Sequence, residues 1–287
     1  MESSTVTDPT LNEDVLKKWI GNSENHCDTL HVEQANLLEA TLDRSPTLKT
    51  GDELPPAWHW AYFLTAAPMS GLGRDGHPAR GEFLPPVALP RRMWAGGRLT
   101  FQHPVYLGET LHKQSTIKDV VLKNGKSGAL CFVTVEHKFS GLSGDLRFVE
   151  EHDIVYREDP ADDAPKPPVV TPPANTAGSH TITPSSVQLF RYSALTFNSH
   201  RIHYDRDYCL DVEGYPGLVF HGPLTATLLA DNAYRRRDDR ALKKFSFRAV
   251  SPLFDTSPFT IHHDGENTVW AQTPAGGLAM KAEVEYV

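Results

Sequence analysis

Residues 217–230 read GLVFHGPLTATLLA, and the fold turns on how that stretch is understood. Gly222 and Pro223 stand where an extended chain would enter a helix. Proline suits a first helical turn, because an N–H at that position has no intrahelical acceptor to lose. The residues that follow, 224–230, are apolar on nearly every side, and a helix of that kind is buried. Behind it the pattern changes to period two. Residues 244–250, 259–263, 267–273 and 278–287 read as strands, with Asp264-Gly265-Glu266 as a turn between two of them. One buried helix backed by an antiparallel meander is an α+β arrangement.

The same order stands upstream. Residues 55–64, PPAWHWAYFL, open on prolines and continue apolar, which predicts a second buried helix. Gly/Pro-rich loops follow over 68–90, then period-two sequence over 98–157. Within it 111–122 and 129–139 flank Lys123-Asn124-Gly125-Lys126, and Asn-Gly is a strong hairpin signal; a further strand covers 146–156. Amphipathic helices are expected over 11–20 and 31–42. The proline-rich run 159–178, DPADDAPKPPVVTPPANTAG, has no apolar period and reads as a stiff, solvated linker. It divides the chain into a unit over 1–158, the linker, and a unit over 179–287. The second unit opens on a short strand at 181–182 and a helical or irregular stretch at 186–208. Matching element order in the two units describes a diverged duplication.

Composition narrows the function. With 28 Lys+Arg against 36 Asp+Glu in 287 residues, the net charge is −8, and no basic excess exists to displace phosphate counterions from nucleic acid. No run of about 18 apolar residues occurs, so no membrane span is expected. Cys27, Cys131 and Cys209 are odd in number and widely spaced, which fits neither a disulfide framework nor a structural zinc site. The first residues carry neither a secretory nor a transit-peptide pattern, so a cytoplasmic location is expected.

The densest polar run is residues 190–205, FRYSALTFNSHRIHYD, which places Asn198, His200 and His203 beside Tyr204 and Asp205. This run and the Phe220-His221-Gly222 helix entry resemble the MaoC-like dehydratases and hydratases. There a D-x-N-P-(I/L/V)-H segment precedes an (A/F)HG that opens the central helix. The F-N-x-H-R-I-H-Y-D variant is similar to the hydroxyacyl-thioester dehydratase type 2 branch, which includes itaconyl-CoA and mesaconyl-C4-CoA hydratases. Pro55-Pro56-Ala57-Trp58-His59-Trp60, Leu89-Pro90-Arg91-Arg92-Met93-Trp94-Ala95-Gly96-Gly97 and Phe247-Arg248 match that branch as well. The resemblance implies a double hot-dog fold, each unit a long helix wrapped by an antiparallel sheet. It also implies reversible hydration of a 2-enoyl-CoA or dehydration of a 3-hydroxyacyl-CoA, on short branched dicarboxylic acyl chains, without cofactor or metal. The acidic member of the family segment is Asn198 here.

The chemistry assigns roles. Water addition needs a base for water, an acid for Cα and a holder for the enolate oxygen. His203 is the acid/base, since an ordinary imidazole pKa of about 6.5 lies near working pH. Asn198 takes no proton and positions water or substrate. Backbone N–H groups at Gly222, with His221 ahead of it, would hold the thioester oxygen at a helix N-terminus. Arg201, Arg91 and Arg92 are the expected partners of a second carboxylate, and Trp58 and Trp60 would line an acyl pocket in the first unit. A homodimer is compatible with this reading. Three other readings compete. A thioester-binding module would have lost its chemistry with the Asn198 change. A non-haem iron oxygenase would use His203 and Asp205 with His262 or His263. A thioesterase would need a carboxylate near the helix entry, and Asp231 is about nine residues into that helix.

Overall fold

A computed structural model describes residues 11–78, 83–125, 128–159 and 168–287. Residues 160–167 of the linker assigned to 159–178 lie outside them. Described elements in chain order are α1 (Glu13–Leu16), β1 (Ser23–Thr29), α2 (Val32–Thr41), β2 (Arg91–Phe101), β3 (Thr110–Gly125), β4 (Gly128–Gly141), β5 (Leu146–Arg157), β6 (Gly178–Ile182), α3 (Ser186–Leu195), α4 (Gly222–Arg235), β7 (Leu242–Ala249), β8 (Phe259–His263), β9 (Thr268–Gln272) and β10 (Leu278–Tyr286). All ten strands join one antiparallel sheet in the order β1-β3-β4-β5-β2-β7-β10-β9-β8-β6.

The two units meet where β2 pairs with β7, Gly96 opposite Arg248 and Gly97 opposite Phe247. Side chains do not fit there. A Cβ on Gly96 would lie 2.5 Å from the Phe247 carbonyl oxygen, and one on Gly97 would lie 2.9 Å from the Phe247 ring. The Gly-Gly pair therefore lets β7 of the second unit close against β2 of the first.

The helix α4 lies as its sequence demands. Leu224, Ala226, Leu229, Ala230 and Ala233 are fully buried, and α4 packs on β7, β9 and β10. Its core is continuous with that of the first unit through Leu99, Phe139 and Phe148. A second apolar cluster, including Leu16, Ile117, Val133 and Tyr156, lies under the N-terminal segment.

The first unit departs from expectation at 55–64. Only Trp58–Ala61 is helical, as a single 3-10 turn, and Ala57 (φ 70°) and Phe63 (φ 54°) bracket it in left-handed backbone. Tertiary partners take the backbone groups that a longer helix would use: Gln34 donates to the Ala61 carbonyl, and the Phe63 N–H donates to Asp28. The apolar run is buried as expected, but by a folded loop. Residues 11–20 likewise give the one-turn α1 and a short 3-10 turn. The strand β1, SENHCDT, carries almost no apolar signal because it sits at the sheet edge, with one neighbour, β3.

Candidate active site

Segment 190–205 folds as α3, a link, and a 3-10 turn at Arg201–His203. That turn lies against the α4 entry. The Val219 N–H donates to the Ile202 carbonyl at 2.9 Å, and the His203 Nδ1–H donates to the Val219 carbonyl at 2.7 Å. A carbonyl only accepts, so this bond fixes the proton on Nδ1 and leaves Nε2 as the basic nitrogen. No described protein group bonds Nε2. The imidazole is 6% exposed and stacks on His221, with ring centroids 3.7 Å apart and planes 19° from parallel. Burial pushes its pKa down to about 4, with His77 adding to the shift and the Val219 bond partly offsetting it.

His221 is fully buried and shares a 2.8 Å hydrogen bond between its Nε2 and Ser193 Oγ. Burial, then the neighbouring His203 and His200, hold its pKa well below the ordinary imidazole range. It is the residue ahead of Gly222, the first residue of α4. The first N–H groups of a helix lack intrahelical acceptors, and Pro223 has none to offer, so Gly222 presents a donor beside the His203–His221 stack. Trp94 closes over it: a Cβ on Gly222 would lie 3.7 Å from the indole.

Asn198 is half-buried. Its side-chain oxygen accepts the His200 N–H at 3.0 Å, which leaves one lone pair and the amide N–H groups for a ligand. His200 packs edge-on against His203, with centroids 5.4 Å apart. The structure thus brings together His203, His221, Gly222, Asn198 and His200. It separates the three arginines. Arg201 is paired with Asp205 and lies over the Tyr208 ring. Arg91 is paired with Asp159 and Glu213. Arg92, half-buried on β2, has no carboxylate partner among the described residues, and its charge acts on both His200 and His152.

Trp60 and Trp58 part company. Trp60 packs edge-on against Trp94, 4.9 Å away, and against Phe247, so it adjoins the Gly222 entry. Trp58 is 1% exposed and borders a groove of about 370 Å³ with Arg44, Asp231 and Arg237, at the far end of α4. Asp231 is held there by Arg44 and Arg235. Nine residues of helix put it roughly 14 Å from Gly222, out of reach of a thioester carbonyl. The iron triad does not form either. Asp205 is taken by Arg201 and the Tyr208 N–H, and His262 stacks on Trp270 near the sheet edge.

Sequence reasoning missed several neighbours. Asp75 and His77 come from the Gly/Pro-rich loop of the first unit. Asp75 accepts from the His77 N–H at 3.0 Å and from its ring Nδ1–H at 3.1 Å, and His77 lies on His200 with centroids 4.1 Å apart. Donor atoms of Asp75, His77 and His200 lie within 4.8 Å of one another. The carboxylate–imidazole hydrogen bond accounts for that spacing and occupies the Asp75 oxygen, so the group is hydrogen-bonded rather than an open ligand set. Beneath Trp60 lies Glu150, fully buried. It accepts from the Trp60 indole N–H and from His59, each at 2.9 Å. Burial alone would raise its pKa, but the His59 charge and hydrogen bond overcome this and keep it an anion. His152 stands between this group and the entry, 4.9 Å from the Trp94 ring, with its pKa pushed down to about 4 by burial. Polar residues buried on strands that read as ordinary alternation give no sequence signal.

Comparison with known proteins fits this geometry. The family model described as hydroxyacyl-thioester dehydratase type 2 matches residues 57–255. The chain belongs to that family. A mesaconyl-C(4)-CoA hydratase of Chloroflexus aurantiacus is 47% identical over 272 residues, covering 93% of this chain and 96% of that one. A mitochondrial hydroxyacyl-thioester dehydratase type 2 of Schizosaccharomyces pombe is 28% identical over 239 residues, covering 76% and 80%. Among solved structures, a MaoC-like dehydratase from Phytophthora capsici superposes with a TM-score of 0.66 at 15% identity, covering 96% of this chain and 99% of that one. A Mycobacterium tuberculosis protein described as having a double hotdog fold superposes with a TM-score of 0.57 at 11% identity, covering 93% and 96%. The family member described here is therefore a double hot-dog α+β protein of the hydratase and dehydratase class. Its first unit keeps the sheet without a long helix among its described residues. No described helix is long and apolar enough to cross a membrane.

Proposed function

We propose that this protein reversibly hydrates a short, branched 2-enoyl-CoA that carries a free carboxylate on Cβ, such as a mesaconyl thioester. The observation that carries the reading is His203: its Nδ1 is tied to Val219, its Nε2 is unengaged, and it is stacked beside the Gly222 helix entry.

The Nε2 lone pair takes a proton from water, and the water oxygen bonds to Cβ. The π electrons move to Cα and the thioester oxygen, which the Gly222 N–H holds as an enolate; such donors are worth about 3–4 kcal/mol in the transition state. The Nε2–H then passes its proton to Cα, and the site returns to its starting charge. Asn198, which holds no proton to exchange, positions the water. In a mesaconyl-type C4 thioester the second carboxylate is attached to the carbon that receives the hydroxyl. Its partner must therefore stand close to His203; Arg92, whose charge acts on His200 and which has no carboxylate partner among the described residues, is the candidate. Trp60, Trp94 and His152 of the first unit pack ring on ring beside the Gly222 entry, which supports reading that unit as the acyl pocket and 179–287 as the catalytic unit. A cytoplasmic location, expected from the sequence, belongs to this reading; three free cysteines support a reducing compartment.

The test is a panel of enoyl- and hydroxyacyl-CoA thioesters followed at the absorbance of the conjugated thioester. Wild-type protein should favour the carboxylated acyl chain. His203→Ala should lose roughly 10²–10⁴ in kcat. Arg92→Leu should raise KM for the carboxylated substrate and leave crotonyl-CoA nearly unchanged. Near wild-type turnover by His203→Ala would end the assignment.

A further inference from the structure

Proton transfer to His203 creates a positive charge in a buried site. The groups around it do little to offset that charge. His221, from the α4 entry, is held neutral. His200, on the same segment, is pushed down by burial and by the neighbouring imidazoles. Arg92, from β2, is already cationic and acts on His200, and position 198 holds an amide. Among the described residues, Asp75 is a carboxylate whose charge acts on His200, and the His77 beside it acts on His203 directly.

The loop that carries this pair is built onto the segment. The Arg201 N–H donates to the Asp75 carbonyl at 2.8 Å, and Ser199 Oγ donates to the Gly76 carbonyl at 2.5 Å. Gly76 (φ +87°) has no room for a side chain, since a Cβ there would lie 2.0 Å from the Ser199 carbonyl oxygen. The fit is close enough to fix Asp75 and His77 relative to His200 and His203.

We infer that Asp75 and His77 supply, from the first unit, a carboxylate–imidazole pair behind a segment whose own residue at position 198 is an amide. Asp75 holds His77 on His200, and through His200 the pair sets the orientation and protonation of His203. Both are positioning residues, and no proton need leave them during turnover. The inference rests on the proposed hydratase reading, but the placement of the pair does not.

Two variants test it, Asp75→Asn and His77→Phe, the second keeping a ring on His200. Hydration kinetics against pH should show kcat lowered by roughly tenfold or more in each, short of the 10²–10⁴ expected for the acid/base itself, with KM within about twofold. His77→Phe removes the ring that lowers the His203 pKa and leaves Asp75 in place, so the acid limb of kcat/KM should move up; Asp75→Asn removes a group that raises the His200 pKa and should move the limb down. Unchanged profiles, or both moving the same way, overturn the inference. So does a wild-type activity that falls on dialysis against EDTA and returns with zinc, because the three donors would then hold a cation. If Asp75→Asn does not fold, His77→Phe alone decides. Imidazole NMR titration of His203 in wild-type protein and His77→Phe gives a readout that needs no substrate. An upward shift there with no turnover on the thioester panel would sink the hydratase reading and leave this one standing.

Discussion

Replacing His203 by asparagine should flatten the acid side of the stability profile. Burial holds this imidazole at a pKa of about 4, against 6.5 for an unburied one. The folded chain therefore keeps the ring neutral down to about pH 4, while the unfolded chain takes up a proton below 6.5. Within that window the unfolded state binds more protons, so stability falls as the pH falls. One such group costs about 1.4 kcal/mol per pH unit, or about 3 kcal/mol over the window. Below pH 4 both states are protonated and the loss levels off. His137 and His152 are also buried, with pKa values pushed down to about 3 and about 4, and they add acid sensitivity of their own. They remain in the variant, so the difference between the two proteins isolates His203. The assay is urea unfolding of wild-type and His203→Asn protein at half-unit steps from pH 7.5 to 4. Lost packing on His221 should offset the variant by a constant at all pH values. On top of that offset, wild type should lose about 3 kcal/mol relative to the variant across the window. Parallel curves would refute the claim that the native ring is held neutral by burial.

Two further outcomes follow from the packing. Gly76→Ala places a methyl group at φ +87° and 2.0 Å from the Ser199 carbonyl, so the Asp75–His77 loop should lift from His200. The expected cost is about 1–3 kcal/mol in urea unfolding, with loss of activity and proteolytic sensitivity confined to that loop. Glu150→Ala takes the counter-charge from His59 and the larger part of it from the half-buried Lys113, whose pKa burial already lowers. It should destabilise the first unit by about 3–5 kcal/mol, read as a fall in Tm, while Glu150→Gln, which keeps the indole hydrogen bond, should cost less.

Much of this protein was legible in its sequence because the decisive signals are local. Gly222-Pro223 ahead of an apolar run fixes where α4 starts, and period-two alternation fixes the strands that cover it. Asn198 and His203 are five residues apart on one short segment, so their proximity is nearly a covalent fact. Tertiary structure alone decided the rest. Residues 55–64 have the apolar character of a buried helix, yet Gln34 and Asp28 take their backbone groups and leave one 3-10 turn. The three arginines look alike in sequence. Which of them is free depends on where Asp159, Glu213 and Asp205 come to lie, and among the described residues Arg92 alone of the three has no carboxylate partner. Asp75 and His77 reach the site across more than 120 residues of chain, because the paired units bring a first-unit loop onto the second unit's catalytic segment. Periodicity and capping are written in near neighbours along the chain; the pairing of charges is written in distances that exist only once the sheet has closed.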